Sequence, residues 1–385
     1  LNNADVSSSI GTLTFSSPVN INGSSSVNAG NNAVNFTGVI NGSGQTLALN
    51  NTGGTVTFGG NVTLGTLNTA ANNYNVVFNG ANNTVSAATT FNNTGNVTFG
   101  NNGTTTFTNG VTAGATTLAG NLNSTNSAIN LGAVTLSGNS GINAGSGAIN
   151  TGAISGSNSL SLSSSTGSTV GGNINISSFT TNGGGADVIN GNVTTSGAQT
   201  YNNAVDFNSD TVLTGAGINL AGAVDLNNNS LTLADSSTST IGGVLSNVVN
   251  LATNAVNLNG GSITTSGTQS YGNASLGADT TLTGNGITLG GTVTGNNRSL
   301  NLADSSTSTL SGAVSGISTI TTNNINLNGG TVTSTGAQNY GAATLGANTT
   351  LTGNTINLGG AVTGNNRSLV LADSGISTLG SSVNN

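Results

Sequence analysis

Apolar residues in this chain come in short runs that alternate with threonine or asparagine and close on glycine, asparagine or serine. TLTF, AVNF, TVTF, NVVF and NVTF end at Phe15, Phe36, Phe58, Phe78 and Phe99. The same alternation runs through Thr55-Val56-Thr57-Phe58, Asn61-Val62-Thr63-Leu64 and Asn324-Ile325-Asn326-Leu327. A period of two, bounded by turn residues, predicts half-buried β-strands. The five phenylalanines recur at a nearly even step. A step of roughly 21 residues predicts one turn of a β-solenoid, with the rings stacked as a ladder inside it.

A longer period governs the second half. TTSGAQTY, TTSGTQSY and TSTGAQNY end at Tyr201, Tyr271 and Tyr340. LADSSTSTI, LADSSTSTL and LADSGISTL start at Leu233, Leu302 and Leu371 on the same step. GNNRSL stands at 295–300 and 364–369, with LNNNSL at 226–231 in the same frame. A fixed period over strand-like segments predicts stacked repeats. Three stretches are expected in one continuous stack: 1–115 with the phenylalanine ladder, 116–185 as Gly/Ser-rich coils, and 186–385 as three long repeats. Each repeat of about 69 residues divides into three coils of about 23 residues, with four of about 17 as the alternative. Leu233, Leu302 and Leu371 are the candidate aliphatic ladder beside the phenylalanines.

Composition narrows the picture. Charged residues are 3% of 385, against roughly 25% in an ordinary soluble domain. The two cations are Arg298 and Arg367, the nine acids are all aspartate, and His and Cys are absent. A stack of like residues ~4.8 Å apart explains the low charge, because a ladder of one sign repels itself. Asn, Ser, Thr and Gly are poor helix formers, whereas Gly and Asn tolerate the left-handed conformations of sharp corners. The fold class is therefore all-β: a parallel β-solenoid of about 17–18 coils of about 20–23 residues, or ~85 Å of stack. Pro18 is read as a corner before a strand. No apolar run reaches the ~20 residues of a membrane-spanning helix. The start at Leu1 shows no signal-peptide pattern, and the chain is read as a mature or internal segment of a longer protein.

At this point the pattern resembles the repeats of large bacterial surface proteins of the filamentous haemagglutinin type. The residues concerned are Thr194–Tyr201, Leu276–Gly284 (LGADTTLTG), Ile287–Gly291 and Leu302–Ser305, with variants at Leu345–Gly353 and Ile356–Gly360. The likeness covers 186–385 and is compositional before that. It implies a right-handed parallel β-helix, export through an outer-membrane pore by a two-partner or autotransporter route, and work as an adhesin, biofilm component or stalk. The family's secretion domain, membrane barrel and toxin tip are not read in this stretch.

Candidate chemistry is sparse. Without His, Lys or Cys, general acid–base and nucleophilic catalysis lack their usual groups, and no enzyme activity, cofactor or metal is expected. The closest acids are Asp206, Asp210 and Asp225. GGGADVING at 183–191 partly matches a calcium-binding repeat, with Ala186 in place of a glycine. Asp235, Asp304 and Asp373 recur too far apart along a stack to share one ion. They are read as turn-forming side chains. Arg298 and Arg367 are corner charges or contacts to a neighbouring rod; Tyr201, Tyr271 and Tyr340 either cover the core edge or face such a neighbour. Two cations and a net charge of −7 exclude a nucleic-acid footprint. The N-x-Ser/Thr triplets follow from composition.

The expected function is the structural shaft of an extracellular bacterial adhesin or fibre. The alternatives are a self-assembling filament or sheath subunit, and an ice- or glycan-binding face of threonine ladders. Expected partners are further copies of the chain, end to end or side by side, or cell-surface glycans reached through domains outside this stretch. No membrane insertion by this stretch is expected.

Overall fold

The structure, a computed structural model, describes residues 1–384. Among them there is no helix; strands follow one another from Asp5–Ser7 onward, most of them short and the longest Val224–Ile241. They form parallel β-solenoid turns, about 19 of them, of about 20 residues each. The turn is thus at the short end of the expected length. The chain divides into two compact units, Leu1–Ser196 and Gly197–Asn385.

In the first unit the register runs Phe15, Phe36, Phe58, Phe78, Phe99, Leu118, Leu136. Side chains alternate in and out, so every second residue of each strand reaches the core. Neighbouring rings stack with centroids 4.6 Å apart for Phe15–Phe36 and 5.4 Å for Phe36–Phe58, and Phe58–Phe78 follow at 4.9 Å with their planes tilted by 35°. The Gly/Ser-rich stretch continues the same construction. Val134–Gly145 pairs with Ile154–Gly156 and with Ser159–Ser164, which pairs with Ser178–Asn182. Small side chains there still leave Leu160, Leu162, Ile174 and Phe179 buried.

In the second unit each turn has three sides. Thr280–Gly284, Ile287–Leu289 and Val293–Thr294 are followed by Leu300, the register partner of Thr280. On one side the core column runs Val205, Val224, Leu245, Ile263, Leu282, Leu302. A second runs Leu213, Leu233, Thr253, Tyr271, Leu289, Leu310, Leu327, Leu345. The third runs Val256, Ala274, Val293, Val314, Val332, Leu351, Leu371. Leu233, Leu302 and Leu371 therefore stand in three different columns rather than in one ladder.

The cause is arithmetic. Climbing four turns from Tyr201 passes Leu220, Ile241 and Leu258 and arrives at Leu276, five residues beyond Tyr271. From Tyr271 the climb passes Leu289, Leu310 and Leu327 to Leu345, five beyond Tyr340. One long repeat is four turns less one side, and neither expected division into whole coils holds. Each copy of a motif lands one side further round the prism than the last.

Corners carry the backbone strain. Asn296 and Asn297 have φ of 50° and 58°, Asn365 and Asn366 of 49° and 59°, and Asn227 and Asn228 of 48° and 63°. With Arg298 N–H donating to Gly295 O and Arg367 N–H to Gly364 O, at 2.8 and 2.9 Å, the two GNNR corners are tight turns of the type that needs two left-handed residues. Glycine is required where one turn rests on the next: a Cβ on Gly312 would lie 2.0 Å from Gly291 O, and one on Gly329 2.0 Å from Gly312 O.

Candidate interaction surfaces and buried polar sites

The phenylalanine column widens into a cluster. Phe91 and Phe107 meet Phe78 edge-on, with centroids 6.2 Å away in both cases, and Phe99 continues the column at 5.5 Å. Phe58, Phe78 and Phe107 are fully buried. The even phenylalanine step revealed the column but not the two rings that lean against it, because they come from other sides of the turn.

Tyr201, Tyr271 and Tyr340 lie inside, with 0%, 1% and 3% exposure, so they do not face a neighbour. Each hydroxyl donates to the glutamine two residues earlier: Tyr201 to Gln199 Oε1 at 2.8 Å, Tyr271 to Gln269 at 2.7 Å and Tyr340 to Gln338 at 2.8 Å. Each glutamine Nε2 then donates up one turn, to the carbonyl of Thr214, Thr283 or Thr352, at 2.8 Å in all three. In the later two copies Nε2 also reaches Thr265 Oγ1 at 3.2 Å and Ser334 Oγ at 3.1 Å. Burial pushes all three phenols above their ordinary pKa. The spacing Gln-x-Tyr, two inward positions of one strand, was the available signal.

The LADS aspartates share a sequence and differ in surroundings. Asp304, 2% exposed, accepts from Gly286 N at 2.9 Å and Ser306 N at 2.8 Å on Oδ1, and from Ile287 N at 2.7 Å and Ser308 Oγ at 3.1 Å on Oδ2. Burial pushes its pKa up, but these donors outweigh it and hold the carboxyl below the ordinary value. Asp235, 3% exposed, has neither oxygen in a hydrogen bond among the described residues. Burial raises its pKa, tempered by the nearby Ser239 hydroxyl, which itself stands outside hydrogen-bond geometry.

Opposite pH responses follow. The folded pKa of Asp304 is lowered, so its stabilisation is present above the unfolded value of about 4 and is lost as pH falls through the folded one. That of Asp235 is raised, so its contribution is present below the unfolded value and is lost as pH rises through the folded one. Hydrogen exchange of residues 299–311 is expected to slow on raising the pH across the carboxylate range, after correction for intrinsic exchange, while that of 230–242 speeds up. Asp304→Asn and Asp235→Asn should each remove the local dependence. Equal responses in the two arcs would contradict these assignments.

Other acids have different surroundings. Asp206 and Asp225 are register partners on adjacent turns; burial first, then the charge of Asp225, raises the pKa of Asp206. Asp225 accepts from Asn227 N at 2.8 Å and from Asn247 Nδ2 at 2.9 and 3.0 Å. Asp187 of GGGADVING is buried, and its Oδ1 accepts from Ser168 N at 2.8 Å. Among the described residues no group of three His, Cys, Asp or Glu suits a metal ion, and no helix is long and apolar enough to cross a membrane.

Outward positions are amides and hydroxyls in register. Asn41 Nδ2 donates to Asn20 Oδ1 at 3.1 Å and Asn150 Nδ2 to Asn130 Oδ1 at 2.7 Å. Thr104 and Thr106 lie between Asn82 and Thr84 below and Asn121 and Asn123 above, so threonine pairs do not extend into an array there. Shallow grooves follow these faces; one is lined by Asn121, Asn123, Gly141, Asn143, Ser161 and Ser163. Arg298 and Arg367 are exposed on their turns. No family model, curated protein or solved structure matches this chain.

Proposed function

We propose that this chain is a non-catalytic structural shaft of an extracellular bacterial adhesin or surface fibre. One observation carries the reading: each turn of about 20 residues adds the same kind of core, the same between-turn hydrogen bonds and the same uncharged outer face. Such a design gains length by repetition, and stability accumulates turn by turn. The resemblance of 186–385 to filamentous haemagglutinin-type repeats supports the surface location and the bacterial source. Self-association, or glycan binding through other domains of a longer protein, supplies the contacts a shaft itself does not need.

Antibody against the chain should label intact producing cells. Label reaching the chain only in lysed cells would remove the surface role. A glycan array separates the runner-up: saturable binding by the purified chain would move recognition to its own threonine and asparagine faces.

A further inference from the structure

The second unit shows one surface corner three times with its charges changed. Asp210 Oδ1 accepts from Ser230 N at 2.8 Å, Asp279 Oδ1 from Ser299 N at 2.9 Å, and Asn348 Oδ1 from Ser368 N at 3.1 Å. The bond survives exchange of Asp for Asn, so it does not require the charge. The residue before each serine is Asn229, Arg298 and Arg367 in turn. The three corners therefore carry charges of −1, 0 and +1. At the middle corner the N–H and hydroxyl of Ser299, with a smaller part from Arg298, hold Asp279 below its ordinary pKa. The frame thus brings an acid and an arginine within electrostatic reach. The first corner holds the acid without the arginine, and the third holds the arginine without the acid. Asp210 and Arg367 are exposed, and the one-side advance per repeat turns their corners toward different directions.

We propose that the Asp210 corner of one copy docks against the Arg367 corner of a second copy, bringing together between chains an acid and an arginine of the kind that the Asp279 corner carries within one chain. This rests on the self-association part of the function proposed above. Because the two halves of the contact lie on different sides of each copy, the contact is head-to-tail in type and leaves a free half on every chain, so it extends into an array instead of closing as a pair. A single exposed ion pair adds little affinity; its work is to choose the partner corner and the stagger. The surrounding uncharged faces oppose approach with few like charges.

Sedimentation of the full chain at about 20 mM and about 300 mM salt tests this, since exposed pairs are screened over that range. The expected result is association at low salt that weakens at high salt. Arg367→Asn and Asp210→Asn should each weaken it by about fivefold, and Asp210→Arg more strongly. The exchange Asp210→Arg with Arg367→Asp should restore it, and Arg298→Asn should leave it unchanged. Circular dichroism of each variant checks that the fold is kept. Association as strong in Arg367→Asn as in the unaltered chain overturns the corner contact while leaving self-association standing. A chain that stays monomeric at every salt concentration overturns both, and leaves the shaft to be judged by the cell-labelling experiment.

Discussion

Phe78→Ala is expected to lower the stability of the first unit by about 3–5 kcal/mol, the range for emptying a buried phenylalanine site. Phe78 stands at the centre of its cluster: its ring meets Phe58, Phe91, Phe99 and Phe107. A parallel stack cannot close over the gap, because the strands above and below are fixed by their own between-turn hydrogen bonds. Phe15→Ala removes a ring that is half-buried and has one stacking neighbour, so its cost should be well under half as large. Urea denaturation followed by hydrogen exchange in residues 55–107 measures both. Equal losses for Phe78 and Phe15 would mean that the column is not the core.

Gln269→Ala is expected to cost about 2–4 kcal/mol, because it leaves a buried hydroxyl and a partly buried carbonyl without their partner, at roughly 1–3 kcal/mol each. One is the Tyr271 hydroxyl, which donates to Gln269; the other is the Thr283 carbonyl, which accepts from it. Adding Tyr271→Phe removes one orphan, so the double variant should be more stable than Gln269→Ala alone. A double-mutant cycle with Gln269→Ala, Tyr271→Phe and both together reads the coupling. Additive losses would mean that glutamine and tyrosine act separately.

The strand alternation, the fold class and the phenylalanine step were legible in the residues because the strand period and the turn length both leave marks in a single sequence. The division of the long repeat was not. The spacing from Leu233 to Leu302 and on to Leu371 is compatible with any whole number of coils, and only the register reveals that it is four turns less one side. That single fact separates the three leucines into three columns. The tyrosines illustrate a second limit. Tyr271 and Gln269 are both polar enough to face water, and their burial becomes reasonable only when each satisfies the other and Gln269 also bonds the turn above. Asp235 and Asp304 mark a third: the octapeptide LADSSTST is identical in both, so nothing local distinguishes the carboxylate held by four donors from the one held by none.

The most direct test uses a chain without native cysteine and asks which residues are stacked neighbours. Thr321 is the register partner of Asn339. Thr344, which a longer coil would place directly above Thr321, pairs instead with Asn326 on another side. In-register neighbours lie ~4.8 Å apart, within disulfide reach. Under mild oxidation the Thr321→Cys, Asn339→Cys chain should form an internal disulfide rapidly, and the Thr321→Cys, Thr344→Cys chain should stay reduced. The reverse result would mean coils of about 23 residues, with Leu233, Leu302 and Leu371 in one column, and would contradict the three-sided turn and the rotating repeat.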